Sequence, residues 1–477
     1  MRTNFNFLFS TFFLWTSIQS HAAVHISQTG HGQALIFPYY TVANGLNTVV
    51  SVNNQSELPK AVKINIREAK SGDAMYSFNL YLDGYDIWTM GLVETDGFIN
   101  LYSNDESCVL NLNNPDQSLA SDWEWQTGMI EVIEMANFSS SEFFDFNTSA
   151  EENCNQIGLG WEDGGVWVSE DNDLLSPVSG GITGQVTVFD VANGFSFQVP
   201  SITLENFYPA ESIAHHAPDS GLPNLSSGVN TSMVIYQGKA ITTQWPTGYE
   251  AVSALLMKTS TENEFNVEDV VDAQSEWVIS FPTLQYHLDN NQTNVPFIYG
   301  VEDPFLDEDQ FFFSRRLHGP NGLVFDRNGN FCYRSTAVTD PPPPPAFFAL
   351  SFNSIVNTNM IVKSYSDVNG ELLSPNSTIS GQARDNVSSL SLDILIERIS
   401  TVCSPEITNL ETGKRREIMQ YNVNNRGINA IDQTSQTYHG LPFIAFSYNR
   451  FTNANAQPGK LATYASAKMN NSEMRIE

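Results

Sequence analysis

Between residues 33 and 102 the chain alternates apolar and polar side chains in one short run after another, and nothing else in it constrains the fold so tightly. Val62, Ile64 and Ile66 alternate with Lys63, Asn65 and Arg67, while Phe78, Leu80 and Leu82 repeat the pattern. A period of two belongs to a β-strand with one face on a core and the other in water, so these segments read as half-buried strands. Runs at 33–41, 48–53, 86–90 and 98–102 extend the series. Turn-forming residues separate them at 53–56, 70–73, Asp83-Gly84 and Asp96-Gly97. Strands at a spacing of roughly ten residues predict an antiparallel β-sandwich of immunoglobulin-like type.

Beyond residue 104 the pattern loosens. Residues 105–180 are acidic and hold Trp123, Trp125, Trp161 and Trp167 around one strong strand signal at 128–135. Strand pattern returns at 184–190 and 195–199, joined by the hairpin pair Asn193-Gly194. Helix is scarce; 249–258, with Thr247 as N-cap, is the best candidate. Residues 277–281 read as a strand ending at Pro282. A proline run, Pro341–Pro345, marks either a boundary or a loop, and it is too short to hold domains far apart at about 3 Å per residue. Strand patterns follow at 347–352, 359–363, 390–397 and 441–448. The expected fold class is thus mostly β with little helix. Residues 1–22 are a leader, 23–104 an immunoglobulin-like region and 105–340 a second β-rich region with acidic loops and one short helix. Residues 346–477 are a C-terminal β region packed with the preceding one.

The leader rests on Arg2, an apolar run at 7–18 and the small-residue ending Ser20-His21-Ala22-Ala23, the pattern of a secretory signal peptide. Cleavage falls after Ala22, or after Ala23 as the near alternative. The run is shorter than the about 20 apolar residues of a spanning helix, and no later segment reaches that length. An exported chain without a transmembrane segment follows, in the periplasm, at the cell surface or outside the cell. The 22 basic residues face 53 acidic ones, a net charge of −31, which repels nucleic acid and anionic membranes and excludes them as partners. Such acidity serves cation binding or a saline-adapted surface; general solubility is the plainer account.

The 4 cysteines suggest the disulfides Cys108–Cys154 and Cys332–Cys403, with the two other connectivities open. Acidic neighbours at 105–106 and 151–152 raise a thiol's pKa and argue against a nucleophile. No CxxC points to zinc or redox chemistry. No G-x-S-x-G elbow accompanies the histidines, so a hydrolase triad lacks its signature. His215 and His216 with Asp219 form the most metal-like cluster, against the simpler reading of 213–223 as a surface loop. Calcium is the better metal candidate. Glu302, Asp303, Asp307 and Asp309, or Asp163 with Asp171 and Asp173, bring hard oxygen ligands together in loops, although neither set fits an EF-hand. Glu131 and Glu134 fall on opposite faces of one strand and so cannot flank a single glycosidic bond. Trp123, Trp125, Trp161 and Trp167 suit a sugar-stacking platform or, equally by type, a sandwich core.

Several phrases together resemble a family of uncharacterised exported proteins of Gram-negative, often aquatic, bacteria. They are the segments at 34–42, 79–88, 128–135, 251–257, 276–283 and 440–446. The resemblance spans nearly the whole chain after the leader and implies export and a β-rich fold, but it carries no catalytic or binding residues. The combined expectation is a non-enzymatic surface or extracellular interaction protein: an adhesin-like, matrix or appendage component that meets protein partners or self-assembles. A carbohydrate-binding or polysaccharide-active secreted protein is the alternative, and a periplasmic chaperone the second.

Overall fold

The computed structural model describes residues 23–69, 72–112, 119–120, 125–138, 149–168, 174–258, 260–266 and 271–289. Further along it describes 323–325, 353–357, 376–377, 381–382, 416–422, 427–429, 437–439, 441–457 and 460–477. The leader, Cys332, Cys403 and the proline run lie outside these residues.

The chain is mostly β, and its centre is a two-sheet sandwich. In order its elements are β1 (His25–Ile26), β2 (Ala34–Thr41), β3 (Asn47–Asn54), β4 (Lys60–Glu68), β5 (Ala74–Leu82), β6 (Ile87–Thr95), β7 (Phe98–Tyr102) and β8 (Cys108–Leu110). Then come β9 (Leu119–Ala120), β10 (Thr127–Phe138), helix α1 (Ala150–Leu159), β11 (Leu175–Ser176), β12 (Ile182–Asp190), β13 (Phe195–Val199) and β14 (Ile202–Glu205). The first sheet runs β1-β14-β2-β10-β4-β5-β8, with β11 beside β10; the second runs β13-β12-β3-β6-β7-β9. Residue 104 falls between β7 and β8 inside this sandwich, which β10 and β12–β14 complete.

One alternate set of side chains from each sheet fills the space between them. Phe37, Ile64, Phe78, Leu80 and Val132 from the first sheet meet Val50, Val52, Trp88, Met90 and Val186 from the second. Trp88 lies tilted on Phe78 with ring centroids 5.8 Å apart. Each large side chain so buried contributes roughly 1.5–3 kcal/mol. Gly184 shows how closely the sheets approach: a Cβ there would sit 2.9 Å from Phe37 Cζ and 2.7 Å from the Ser51 carbonyl oxygen. The hairpin expected at Asn193-Gly194 joins β12 to β13, with Asp190 opposite Phe195 and Gly194 at φ +69°.

A further layer covers the outer face of the first sheet. The expected helix is α2 (Gly248–Leu256), buried along its whole length. Thr247 Oγ1 caps the helix, accepting from the Glu250 N–H at 3.3 Å and donating to Glu250 Oε2 at 2.8 Å. The helix packs on Ala34, Ile36, Met129 and Leu204, together with Phe281 and Phe443. Val24, fully buried, joins the hairpin of β15 (Thr231–Tyr236) and β16 (Lys239–Gln244). Its N–H donates to the Thr231 carbonyl at 2.8 Å, and its carbonyl accepts from the Met233 N–H at 2.9 Å. The expected strand at 277–281 is seen as Gln274–Ser280 between Asn353–Asn357 and Ile444–Gln457. From that sheet Val278, Phe446 and Tyr448 join the sandwich core, Tyr448 meeting Phe197 at 4.5 Å between centroids.

Two features depart from the pattern reading. Residues 150–159, read as loose chain, form α1, capped by Ser149, whose side chain accepts from the Glu152 N–H. The disulfide Cys108–Cys154 ties this helix to β8. Strand β4 is not half-buried; every one of its residues, polar and apolar alike, is out of water.

Candidate functional site

Among the described residues nothing lies over the outer face of the second sheet, and alternation decides what it shows. On β6, Trp88, Met90 and Leu92 point inward, which sends Ile87, Thr89, Gly91 and Val93 outward. On β3 the outward set is Asn47, Val49, Ser51 and Asn53; on β12 it is Thr183, Gln185, Thr187 and Phe189. Strand β13 adds Ser196 and Gln198, and β7 adds Phe98, Asn100 and Tyr102. None of these outward residues is charged, in a chain of net charge −31. One row crosses five strands in unbroken register: Gln198, Thr187, Val49, Gly91, Tyr102. Aromatic rings stand along the rim, with Tyr102 54% and Phe98 43% exposed. Short hydroxyls and amides, with Ile87, Val49 and Val93 among them, floor the rest, joined by bonds such as Gln185 Nε2 to Thr187 Oγ1 at 2.9 Å.

The outer face of the first sheet has the opposite character. Lys63, Asn65 and Asn79 are fully buried there, and Arg67 nearly so. Lys63, Asn65 and Asn79 donate to the backbone of the 209–225 segment, which has no regular structure of its own. Lys63 Nζ reaches the carbonyls of Ala217 at 2.7 Å, Ser220 at 3.0 Å and Pro218 at 3.2 Å. Asn65 Nδ2 donates to the Pro223 carbonyl at 3.0 Å, and Asn79 Nδ2 to that of His216 at 2.9 Å. Carbonyls that would otherwise be shielded from water thereby find partners. Burial pulls the Lys63 ammonium down to about 7, with the Asp219 carboxylate acting in the other direction.

Glu131 and Glu134 take opposite faces of β10 and pair with different cations. On the outer side Glu131 Oε1 accepts from Arg67 Nε at 2.8 Å, and Arg67 also reaches the Gly72 carbonyl at 3.0 Å and Gln285 Oε1 at 3.1 Å. On the inner side Glu134 Oε1 accepts from Lys60 Nζ at 2.6 Å, with both side chains wholly out of water. Ser179 N–H at 3.0 Å and Gly180 N–H at 2.7 Å complete the Glu134 shell. These groups hold the fold; each carboxylate is committed to a buried cation.

His215 enters an aromatic box in place of a metal site. Trp161 and Trp167 each lie 4.8 Å from its ring, with Tyr81 at 5.8 Å and Phe138 at 6.5 Å. Tyr81 OH lies 3.0 Å from His215 Nε2 and accepts from Trp161 Nε1 at 3.1 Å. Burial pushes the His215 imidazole down to about 3, assisted by Lys63 and His216, so the ring is neutral near pH 7.

The residues singled out from sequence thus scatter. Trp167 is 6% exposed and packs beside Cys108, Phe138 and Ile157, a core position. Trp161 is partly buried against the same cluster, and Trp125 against the main core, where its carbonyl accepts from Tyr40 OH at 2.9 Å. Asp163 is exposed in the turn after α1. Trp123, Asp171, Asp173, Glu302, Asp303, Asp307 and Asp309 lie outside the described residues, as do Cys332 and Cys403. Among the described residues no group of three or more His, Cys, Asp or Glu is placed to hold a metal ion. No described helix is long and apolar enough to cross a membrane. The open face leaves little mark in the sequence because its residues are individually ordinary. The available signal was the run of neutral side chains at alternate positions of 47–53 and 183–189. Comparison with known proteins found no matching family model, curated relative or solved structure.

Proposed function

We propose that this is an exported, non-enzymatic interaction protein that meets its partner through the open face of the second sheet, as a component of the cell surface or extracellular matrix. The observation that supports it is the uncharged, aromatic-rimmed outer face of β13-β12-β3-β6-β7 in so acidic a chain. A surface selected only for solubility would carry the chain's charge there too.

Cosedimentation of the purified protein with cell-envelope and extracellular material of its host tests this reading. The wild type is expected to pellet, and Thr89→Lys, which places a cation in the middle of the face, is expected to stay in solution. Equal pelleting of the two proteins would overturn it. Fractionation of the host should then find the native protein at the surface or in the medium.

A further inference from the structure

We propose that the ligand of the open face is an uncharged polysaccharide, lying across the strands along the row from Tyr102 to Gln198. This rests on the assignment of that face as the interaction surface.

Next to Tyr102 in the row stands a glycine that the fold does not require. Glycine inside a strand marks a bulge, a sharp bend, or a place where a ligand or another backbone comes close. No bulge is present: β6 pairs in continuous register with β3 from Ile87 to Leu92 and with β7 from Gly91 to Thr95. Gly91 does not take a left-handed φ. A Cβ built there meets nothing nearer than the Tyr102 carbonyl oxygen at 3.9 Å and Val93 Cγ2 at 4.0 Å. Gly184, facing inward one strand beyond β3, has the opposite situation, since a Cβ there collides with the facing sheet. Gly91 therefore leaves a shallow trough between Tyr102 and Val49 that no described residue fills.

The surroundings of the trough select the occupant. Stacking on the apolar face of a sugar ring needs an exposed aromatic side chain, and Tyr102 stands directly beside Gly91 in register. Sugar hydroxyls need short amide and hydroxyl partners, which Thr89, Thr187 and Gln198 supply. Neighbouring strands lie about 4.8 Å apart, close to the advance per sugar in an extended glycan, so one sugar can lie over each strand. A protein partner fits less well. Protein interfaces concentrate large anchors and Arg or Met at a desolvated centre, whereas here the rings sit at the rim and the row inside them holds Thr187, Val49 and Gly91, none of them a large anchor. Anionic glycans are disfavoured by the −31 net charge and by the absence of any cation among the outward residues described above.

Native affinity electrophoresis through gels containing laminarin, hydroxyethylcellulose, galactomannan or dextran tests the inference, with alginate as the anionic comparison. At least one neutral polymer should retard the wild-type protein, alginate should not, and the retardation should persist in 0.5 M salt (roughly a 4 Å Debye length). Gly91→Leu, which fills the trough with little strain, should abolish the retardation. Tyr102→Ala should weaken it at least tenfold and Tyr102→Phe should retain it. Unchanged thermal unfolding of each variant establishes that the fold is intact. No retardation by any neutral polymer, or retardation indifferent to both Gly91→Leu and Tyr102→Ala, overturns the proposal. If neutral polymers fail while pelleting with envelope material is still lost in Thr89→Lys, the glycan inference falls alone and a protein partner replaces it. If pelleting is also indifferent, both readings fall.

Discussion

On the outer face of one sheet Lys63, Asn65, Arg67 and Glu131 lie out of water; on the outer face of the other, exposed residues such as Thr89, Gln185 and Tyr102 carry no charge. Ordinary surfaces reverse that assignment. The buried charges make sense once their partners are counted. Lys63 and Asn65 hold carbonyls of an irregular segment, and Arg67 holds Glu131, so the covering layer is fastened by polar bonds as well as by apolar contact. The bare face gains nothing in folding from lacking charge. The same alternation thus yields a fastened surface where a second layer lands and an uncharged, water-facing one where no described residue lies over it.

The strongest way to break the comparison is on the covered side. Arg67→Met leaves Glu131 buried without its cation and is expected to cost about 3–5 kcal/mol in urea unfolding. Replacing both partners with methionine should restore most of that loss, because the burial penalty of two ions disappears with them. Removing the Cys108–Cys154 link, which closes a separation of 46 residues, should cost about 2–4 kcal/mol, read from the same titration with Cys108→Ala and Cys154→Ala.

Acid sharpens the contrast further. Unfolded His215 takes up a proton below about pH 6.5. The folded ring does so only near pH 3, so the unfolded state holds more protons between these values. Stability should therefore fall as the pH drops from about 6.5 towards 3, on the order of 2 kcal/mol or more, and level off below that window. His215→Gln should flatten this part of the profile. Substitutions on the bare face come last. Thr89→Lys should change stability by less than about 0.5 kcal/mol, and Gly91→Ala should raise it by roughly 0.5–1 kcal/mol. A large loss at either position would mean that the second sheet's outer face is built for folding after all.

The strands at 34–102 were legible because a period of two survives any surroundings, and Thr247 announced α2 through a cap that is purely local. What lies over a strand is not local. Lys63, Asn65 and Arg67 look like a solvated row in the sequence, yet the segment that buries them begins well over a hundred residues later. Helix α1 was obscured for another reason: its apolar side is small, with Ile157 as its one buried residue, so periodicity was weak. Trp161 and Trp167 suit a ligand platform as well as a core because aromatic type does not distinguish the two. Gly91 carries no signal in the sequence, since its meaning depends on the space above it.

Val24 also bears on maturation. On the export reading, a peptidase must choose between two neighbouring bonds, after Ala22 or after Ala23. The second choice would make the Val24 nitrogen a terminal ammonium at a site with no solvent, and would remove the Ala23 carbonyl that lies 3.1 Å from His25 Nδ1. The first leaves both bonds undisturbed and one residue to spare outside the fold. An intact mass beginning at Ala23 is the expected result, leaving Val24 an amide nitrogen to bond the Thr231 carbonyl.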